Sequence, residues 1–194
     1  MCTITLHPSK KFLAFFNHNN EEHLIFYYRE TGVIKKILTR TFNLLDLMIR
    51  HYSKISVILL QLHTKENTTN NKLITIFIQK LKQQLKSHYL SKIGYLWVRE
   101  QYKAEAPHYH VAIMLSGHVC QNTFVVDTKV QALWQAIIPN GFSFRIRNRI
   151  YRISRNGNQS ELRAVRLRLS YFAKKHSKES SNHTFNCFGM SRSV

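Results

Sequence analysis

Apolar and polar positions change period several times along this chain, and each change marks an element. Across "IKKILTRTFNLLDLMIRHYSK", residues 34–54, Ile37, Leu38, Phe42, Leu45, Met48 and Ile49 recur at helical spacing, which predicts an amphipathic helix. "KISVILLQLHT", residues 54–64, is apolar on both parities and rich in β-branched residues, the pattern of a central strand covered on both faces. The Asn-rich "KENTTNN" reads as loop and cap. After it, Ile74, Phe77, Ile78, Leu81 and Leu85 mark one face of a second helix with lysines opposite. "KIGYLWVREQY" and "HYHVAIML" read as two strands joined by the short "KAEAP", hence an antiparallel hairpin. A third helix over "DTKVQALWQAII" closes at Pro139, Asn140 and Gly141. "FSFRIRNRIYRI" alternates apolar residues with Arg, which predicts one strand with a wet basic face, and "ELRAVRLRLSYFAKKH" reads as the last helix. Strands and helices interleave without a regular βαβ rhythm, so the expected fold is α+β: a central, mainly antiparallel sheet with packed helices.

The 194 residues, 44% hydrophobic, suit one domain with a real core. Residues 1–50 read as an N-terminal extension of that domain and 176–194 as an extended tail. Three cysteines, Cys2, Cys120 and Cys187, are far apart and odd in number, which argues against a disulfide framework or a zinc ribbon. No apolar run approaches the ~20 residues that span a bilayer, and the first residues lack the apolar stretch of a signal peptide, so a cytoplasmic protein without a membrane partner is expected.

Charge narrows the partner. Lys and Arg number 29 against 10 Asp and Glu, a net charge of +19. Ten basic residues and one acid, Glu161, lie between Arg145 and Lys175. That density fits phosphate contacts, with Arg145, Arg147, Arg149, Arg168 and Lys175 as candidates, and implies binding that weakens steeply with salt.

Candidate chemistry centres on "PHYHVAIML". With eleven His in the chain, chance alone produces about half a His-x-His, so the spacing needs corroboration. In a strand His108 and His110 share a face with Ala112 and Met114, while Tyr109, Val111, Ile113 and Leu115 point into a core. Glu100, on the preceding strand, falls beside the histidines if the connection holds an odd number of residues and turns away if it is even. Two imidazoles and a carboxylate with open positions make a site for a catalytic divalent cation, Mg²⁺ or Mn²⁺ in use, Zn²⁺ on isolation. In the last helix, Leu162, Val165, Leu169 and Phe172 form the buried stripe and leave Tyr171 on another face among Arg168, Lys174 and Lys175, where cations favour a phenolate able to attack phosphorus. Taken alone, such a tyrosine is more simply an amphipathic aromatic at a core margin. His63 is better placed, on the central strand two residues after Gln61; His7, His18, His23, His51, His88, His118, His176 and His183 read as side chains without a metal role.

His-Tyr-His on a strand, a glutamate on its neighbour and a downstream "YFAK" resemble the HUH endonucleases, whose core is RRM-like. "SKISVILLQLH", "GYLWVREQY", "HYHVAIML", "SYFAKKH" and "FGMSR", in that order over roughly residues 25–193, more closely resemble the inovirus-type replication proteins, the YagK/YfjJ C-terminal domain family. The resemblance implies site-specific nicking and joining of single-stranded DNA at an origin, starting rolling-circle replication of a phage or prophage element. His108 and His110 would then bind the metal, with Glu100 as third ligand and Gln61 as its alternative. Tyr171 would be the nucleophile and Lys174 its helper. Relatives often carry an acid where this chain has Gln61. The single tyrosine of the motif fits one-tyrosine enzymes. No Gly-rich nucleotide-binding loop of the ATPase type occurs, so unwinding would fall to a host helicase. Three other readings stay open: a non-catalytic DNA-binding regulator or decayed relative, a transposase or relaxase of the same superfamily, and an RNA-binding domain. The oligomeric state is not readable from the sequence.

Overall fold

Strand β4 (Lys54–His63) lies at the centre of a six-stranded sheet because its side chains are apolar on both faces. Ile55, Val57 and Leu59 enter one core, and Ile58, Leu60 and Leu62 the other. The computed structural model describes residues 3–101, 104–176, 178 and 186–192. β4 pairs with β6 (His108–Ser116), β6 with β5 (Gly94–Glu100), and β5 with the edge strand β9 (Phe188–Met190). Every pairing is antiparallel, as the hairpin reading expects. Helices α2 (Lys72–Tyr89) and α3 (Phe124–Ile137) cover one face through Phe77, Leu81, Leu85 and Trp134. Helices α1 (Lys35–His51) and α4 (Gln159–Ser170) cover the other through Phe42, Met48, Val165 and Leu169. α1 packs closely on the sheet at Gly94, where a Cβ would stand 2.9 Å from Met48 Sδ and that side chain would have to shift.

Four expectations need correction. "FSFRIRNRIYRI" is two strands, β7 (Phe142–Phe144) and β8 (Ile150–Ser154), both paired with β4. A turn at Arg147 and Asn148 separates them, with Asn148 left-handed at φ 50°. Apolar residues alternate with Arg on both sides of the turn, and the interruption shows only as a shift of parity at Ile150 and Tyr151. The last helix stops at Ser170, and Tyr171–Ala173 form a 3-10 turn. Ala112 and Met114, on the histidine face, are fully buried, so that face is core at one end and site at the other. Part of the expected tail returns as β9, and residues 177, 179–185 (with His183) and 193–194 lie outside the described residues there.

The N-terminal region forms its own sheet of β1 (Ile4–Leu6), β2 (Leu13–His18) and β3 (Glu21–Phe26). Its tight hairpin turns on Asn19 and Asn20, both at positive φ, the type I′ geometry that Asn tolerates. Ala14, Phe16 and Ile25 dock on Phe42 and its neighbours. A polar knot joins this sheet to α1 and α4: Arg166 donates to Asp46 Oδ1 at 2.7 Å and reaches His23, while His18 Nε2 stands 3.3 Å from Asp46 Oδ2. Arg166, counted in the basic stripe, is therefore buried and paired rather than facing phosphate.

Burial, with Arg166 beside it, pushes the His23 imidazole down to about 4. The neutral ring is the folded form, so its contribution is full above pH 6.5 and is lost as pH falls toward 4. Urea unfolding at pH 7 and pH 5 is expected to show a loss of about 2 kcal/mol from this group, at 1.36 kcal/mol per pKa unit. His23→Gln should remove that part of the pH dependence, and an unchanged slope would refute the assignment.

Candidate functional site

The β5–β6 connection occupies residues 101–107, an odd number, and the ladder sets Glu100 directly opposite His108. The parity left open by the sequence is thereby settled toward the histidine face. Glu100 Oε2 stands 3.6 Å from His108 Nε2 and 3.5 Å from His110 Nε2, and the three ligand atoms lie within 4.8 Å of one another. Donors sharing one ion at about 2.1 Å sit roughly 3.0–3.5 Å apart, so the spacing and the mixed nitrogen and oxygen set fit a divalent cation. The three residues form a group that could hold a metal ion.

Glu100 is 1% exposed, and a buried carboxylate must be compensated. Lys178 Nζ donates to Oε1 at 2.9 Å, and Lys174 Nζ lies 3.1 Å from Oε2. Burial would raise the Glu100 carboxyl, but hydrogen bonds from His108 and His110 and the Lys178 charge outweigh it and hold it well below the usual range. Burial pushes the His110 imidazole down against the pull of Glu100, which favours the neutral form that ligates. Lys174 goes the other way: burial opposes its charge, but Glu100 and Tyr171 raise it, so it is an ammonium.

Lys174 joins the carboxylate to the phenol. Its Nζ donates to Tyr171 Oη at 2.5 Å. Tyr171 itself stands edge-on to the His110 ring, centroids 6.0 Å apart. Its turn is strapped by the end of β3 and the segment that follows. Phe26 N donates to Ser170 Oγ at 2.8 Å, Ile34 N to Ala173 O at 2.7 Å and Lys175 N to Gly32 O at 3.2 Å, and Val33 bridges Lys174. The expectation that Tyr171 and Lys174 share a helix face is replaced by a tighter geometry in which the 3-10 turn and this strap aim both at Glu100.

A cavity of about 370 Å³ is lined by these groups together with Gln61, Arg168 and His176. Gln61 faces His110 across the β4–β6 ladder, but its Nε2 donates to His63 Nε2 at 2.9 Å. Burial with His108 alongside lowers the His63 pKa, consistent with a neutral ring that accepts. Of the candidate phosphate contacts, Arg168 lines the cavity and Arg145, Arg147 and Lys175 are exposed, whereas Arg149 is clamped by Asp127 at 2.5 Å.

Three contributors escaped the sequence reading. Lys178 lies in the expected tail. His176 carries no pattern to mark it. Tyr28 comes from the N-terminal region; burial first, then the neighbouring Tyr171, pushes its phenol up. No local signal could have placed any of them.

No curated protein and no solved structure matches this chain. The model of the YagK/YfjJ C-terminal domain matches residues 16–191. With the match running from the second strand to beyond the last, the chain belongs to the YagK/YfjJ C-terminal domain family.

Proposed function

We propose that this chain nicks and rejoins single-stranded DNA through a covalent 5′-phosphotyrosyl link at Tyr171, starting rolling-circle replication of a phage or prophage element, with a single-stranded origin and a host helicase as partners. The observation that carries the reading is the continuous link from Tyr171 Oη through Lys174 Nζ to Glu100 Oε2 and on to His108 and His110. A nucleophile beside a Glu-His-His group, on a strongly basic chain, suits a phosphodiester better than any neutral substrate.

A divalent cation, Mg²⁺ or Mn²⁺, held by His108, His110 and Glu100 would polarise a phosphate oxygen. Tyr171 Oη attacks phosphorus, the bond from phosphorus to O3′ breaks, and the phosphate stays on the tyrosine through its 5′ side. The phenolic proton leaves to solvent, and the departing O3′ takes one up to become a 3′-hydroxyl. Lys174, already protonated, serves as a donor that holds the phenol oxygen and offsets charge, not as the base. Arg168, on the cavity wall, would meet a non-bridging oxygen. Rejoining is the reverse attack by a 3′-hydroxyl.

A random-sequence single-stranded DNA library incubated with the protein and Mn²⁺ is expected to yield a denaturant-resistant protein–DNA adduct whose released 3′ ends a polymerase extends. EDTA should abolish it. Folded, DNA-binding protein that forms no adduct with Mn²⁺ or Mg²⁺ refutes the reading.

One observation favours a second reading, a non-catalytic DNA-binding regulator. Glu100 is already compensated by Lys174 and Lys178, so the network is self-consistent as a structural ion-pair cluster. That reading expects salt-sensitive DNA binding unchanged by His108→Ala.

A further inference from the structure

β7 hydrogen-bonds to β4 with Phe142 opposite His63 and Phe144 opposite Gln61, which puts both rings on the sheet face that carries the Glu-His-His group. The Phe142 ring stacks on His63 at 4.8 Å and 7°, and His63 stacks on His108 at 5.2 Å and 12°. A ladder of parallel rings therefore runs from the candidate metal ligands to the sheet edge, over about two strand spacings. Beyond it the edge opens into a cleft of about 820 Å³, with Phe144, Phe124, Gln131, Gln135 and Arg145 on its walls. Phe142, Phe144 and Phe124 are 44%, 58% and 75% exposed. Three large rings left open around one cleft, in a chain that buries Phe16, Phe42 and Phe77 completely, are not surplus from an overfilled core.

Stacked aromatics beside arginines are what a base and its phosphate recognise together. Arg145 and Arg147 are exposed at this edge, the one nearby acid, Asp127, is engaged by Arg149, and the chain carries +19. We propose that this cleft is a base-stacking subsite for single-stranded DNA: nucleotides flanking the reacting phosphate lay their bases on Phe142, Phe144 and Phe124, and their phosphates run along Arg145 and Arg147. The glutamines supply amide edges for base contacts. A duplex cannot use the subsite, because its bases are already stacked on each other. The assignment rests on the nuclease reading only for which phosphate the strand presents to Tyr171; the stacking itself needs no chemistry.

The experiment is therefore done without cleavage, in EDTA, on the Tyr171→Phe background. Anisotropy of a labelled 12-nucleotide DNA of mixed sequence is followed for that parent, for Phe144→Ala and for Phe124→Ala, both rings being exposed enough for the fold to tolerate their loss. Each is expected to weaken binding roughly 5- to 150-fold, the range for one stacked base. Phe144→Trp should retain affinity, and an oligonucleotide abasic throughout should bind parent and alanine variants alike. Alanine variants with native circular dichroism that bind within twofold of the parent overturn the subsite. Equal losses on duplex DNA overturn stacking as the cause, and RNA of the same sequence binding more than tenfold tighter overturns the assignment to DNA. Intact stacking together with no adduct formed by the wild-type protein in Mn²⁺ would refute the nuclease reading and leave this one standing.

Discussion

Tyr171→Phe is expected to leave a folded protein that binds single-stranded DNA and forms no covalent adduct, with cleavage reduced by roughly 10⁴-fold or more, as for loss of other catalytic nucleophiles. The substitution removes one oxygen. The ring keeps its edge contacts with Phe26 and His110, both at 6.0 Å between centroids, and the structural cost is one hydrogen bond from Lys174, about 1 kcal/mol. A fall in activity of this size with unchanged melting therefore reports chemistry rather than packing. Tyr28 makes the test sharper, because it is a second phenol near enough for Tyr171, Lys174 and Glu100 to shift its pKa. Mass spectrometry of any adduct locates the attacking residue: an adduct on Tyr28 in the variant would reassign the nucleophile, and undiminished cleavage without any adduct would remove covalent catalysis by tyrosine altogether.

Glu100→Gln should act on two quantities at once. The neutral amide preserves shape but removes the charge shared by both imidazoles and both ammoniums. Mn²⁺ affinity by calorimetry is expected to fall more than about 100-fold, since even groups one step removed from a metal cost 10- to 100-fold. Stability should fall by about 3–5 kcal/mol, the usual cost of stranding one partner of a buried pair, because the Lys178 side chain is 1% exposed against this carboxylate. The pH dependence follows from the depressed carboxyl. Its contribution is full above the unfolded value near pH 4.3 and is lost progressively as pH falls from there toward the depressed folded value, so acidification from pH 5 to 3 should cost wild type about 2 kcal/mol from this group and the Gln variant none. Unchanged Mn²⁺ affinity in the variant would eliminate Glu100 as a ligand.

Much of this architecture was legible before any coordinates. The apolar run around Val57, Ile58 and Leu60 announces a strand covered on both sides, and the α2 stripe from Ile74 to Leu85 is buried as its spacing predicts. The N-terminal three-stranded sheet was missed although "FFNHNNEEHLIF" carries its turn at Asn19 and Asn20, a signal weakened by histidines that turn out to be buried. The break between β7 and β8 shows in the sequence only as a change of parity, since the face that Phe142 and Phe144 share in β7 is carried by Tyr151 and Ile153 in β8.

What the sequence determines by itself is local. A period of two forces His108 and His110 onto one face, and helical spacing keeps Tyr171 off the buried stripe of Val165 and Leu169. The tertiary structure decides everything that depends on how distant segments meet. The length of the 101–107 connection sets Glu100 against His108, the strap from the end of β3 onward fixes the turn that carries Tyr171, and Lys174 and Lys178 approach the same carboxylate from beyond the last helix. The physical reason is that register and cross-element contacts are chosen by burial of whole faces, to which no short stretch of residues has access. A buried glutamate is tolerable only once those cations arrive, and that compensation exists solely in the folded chain.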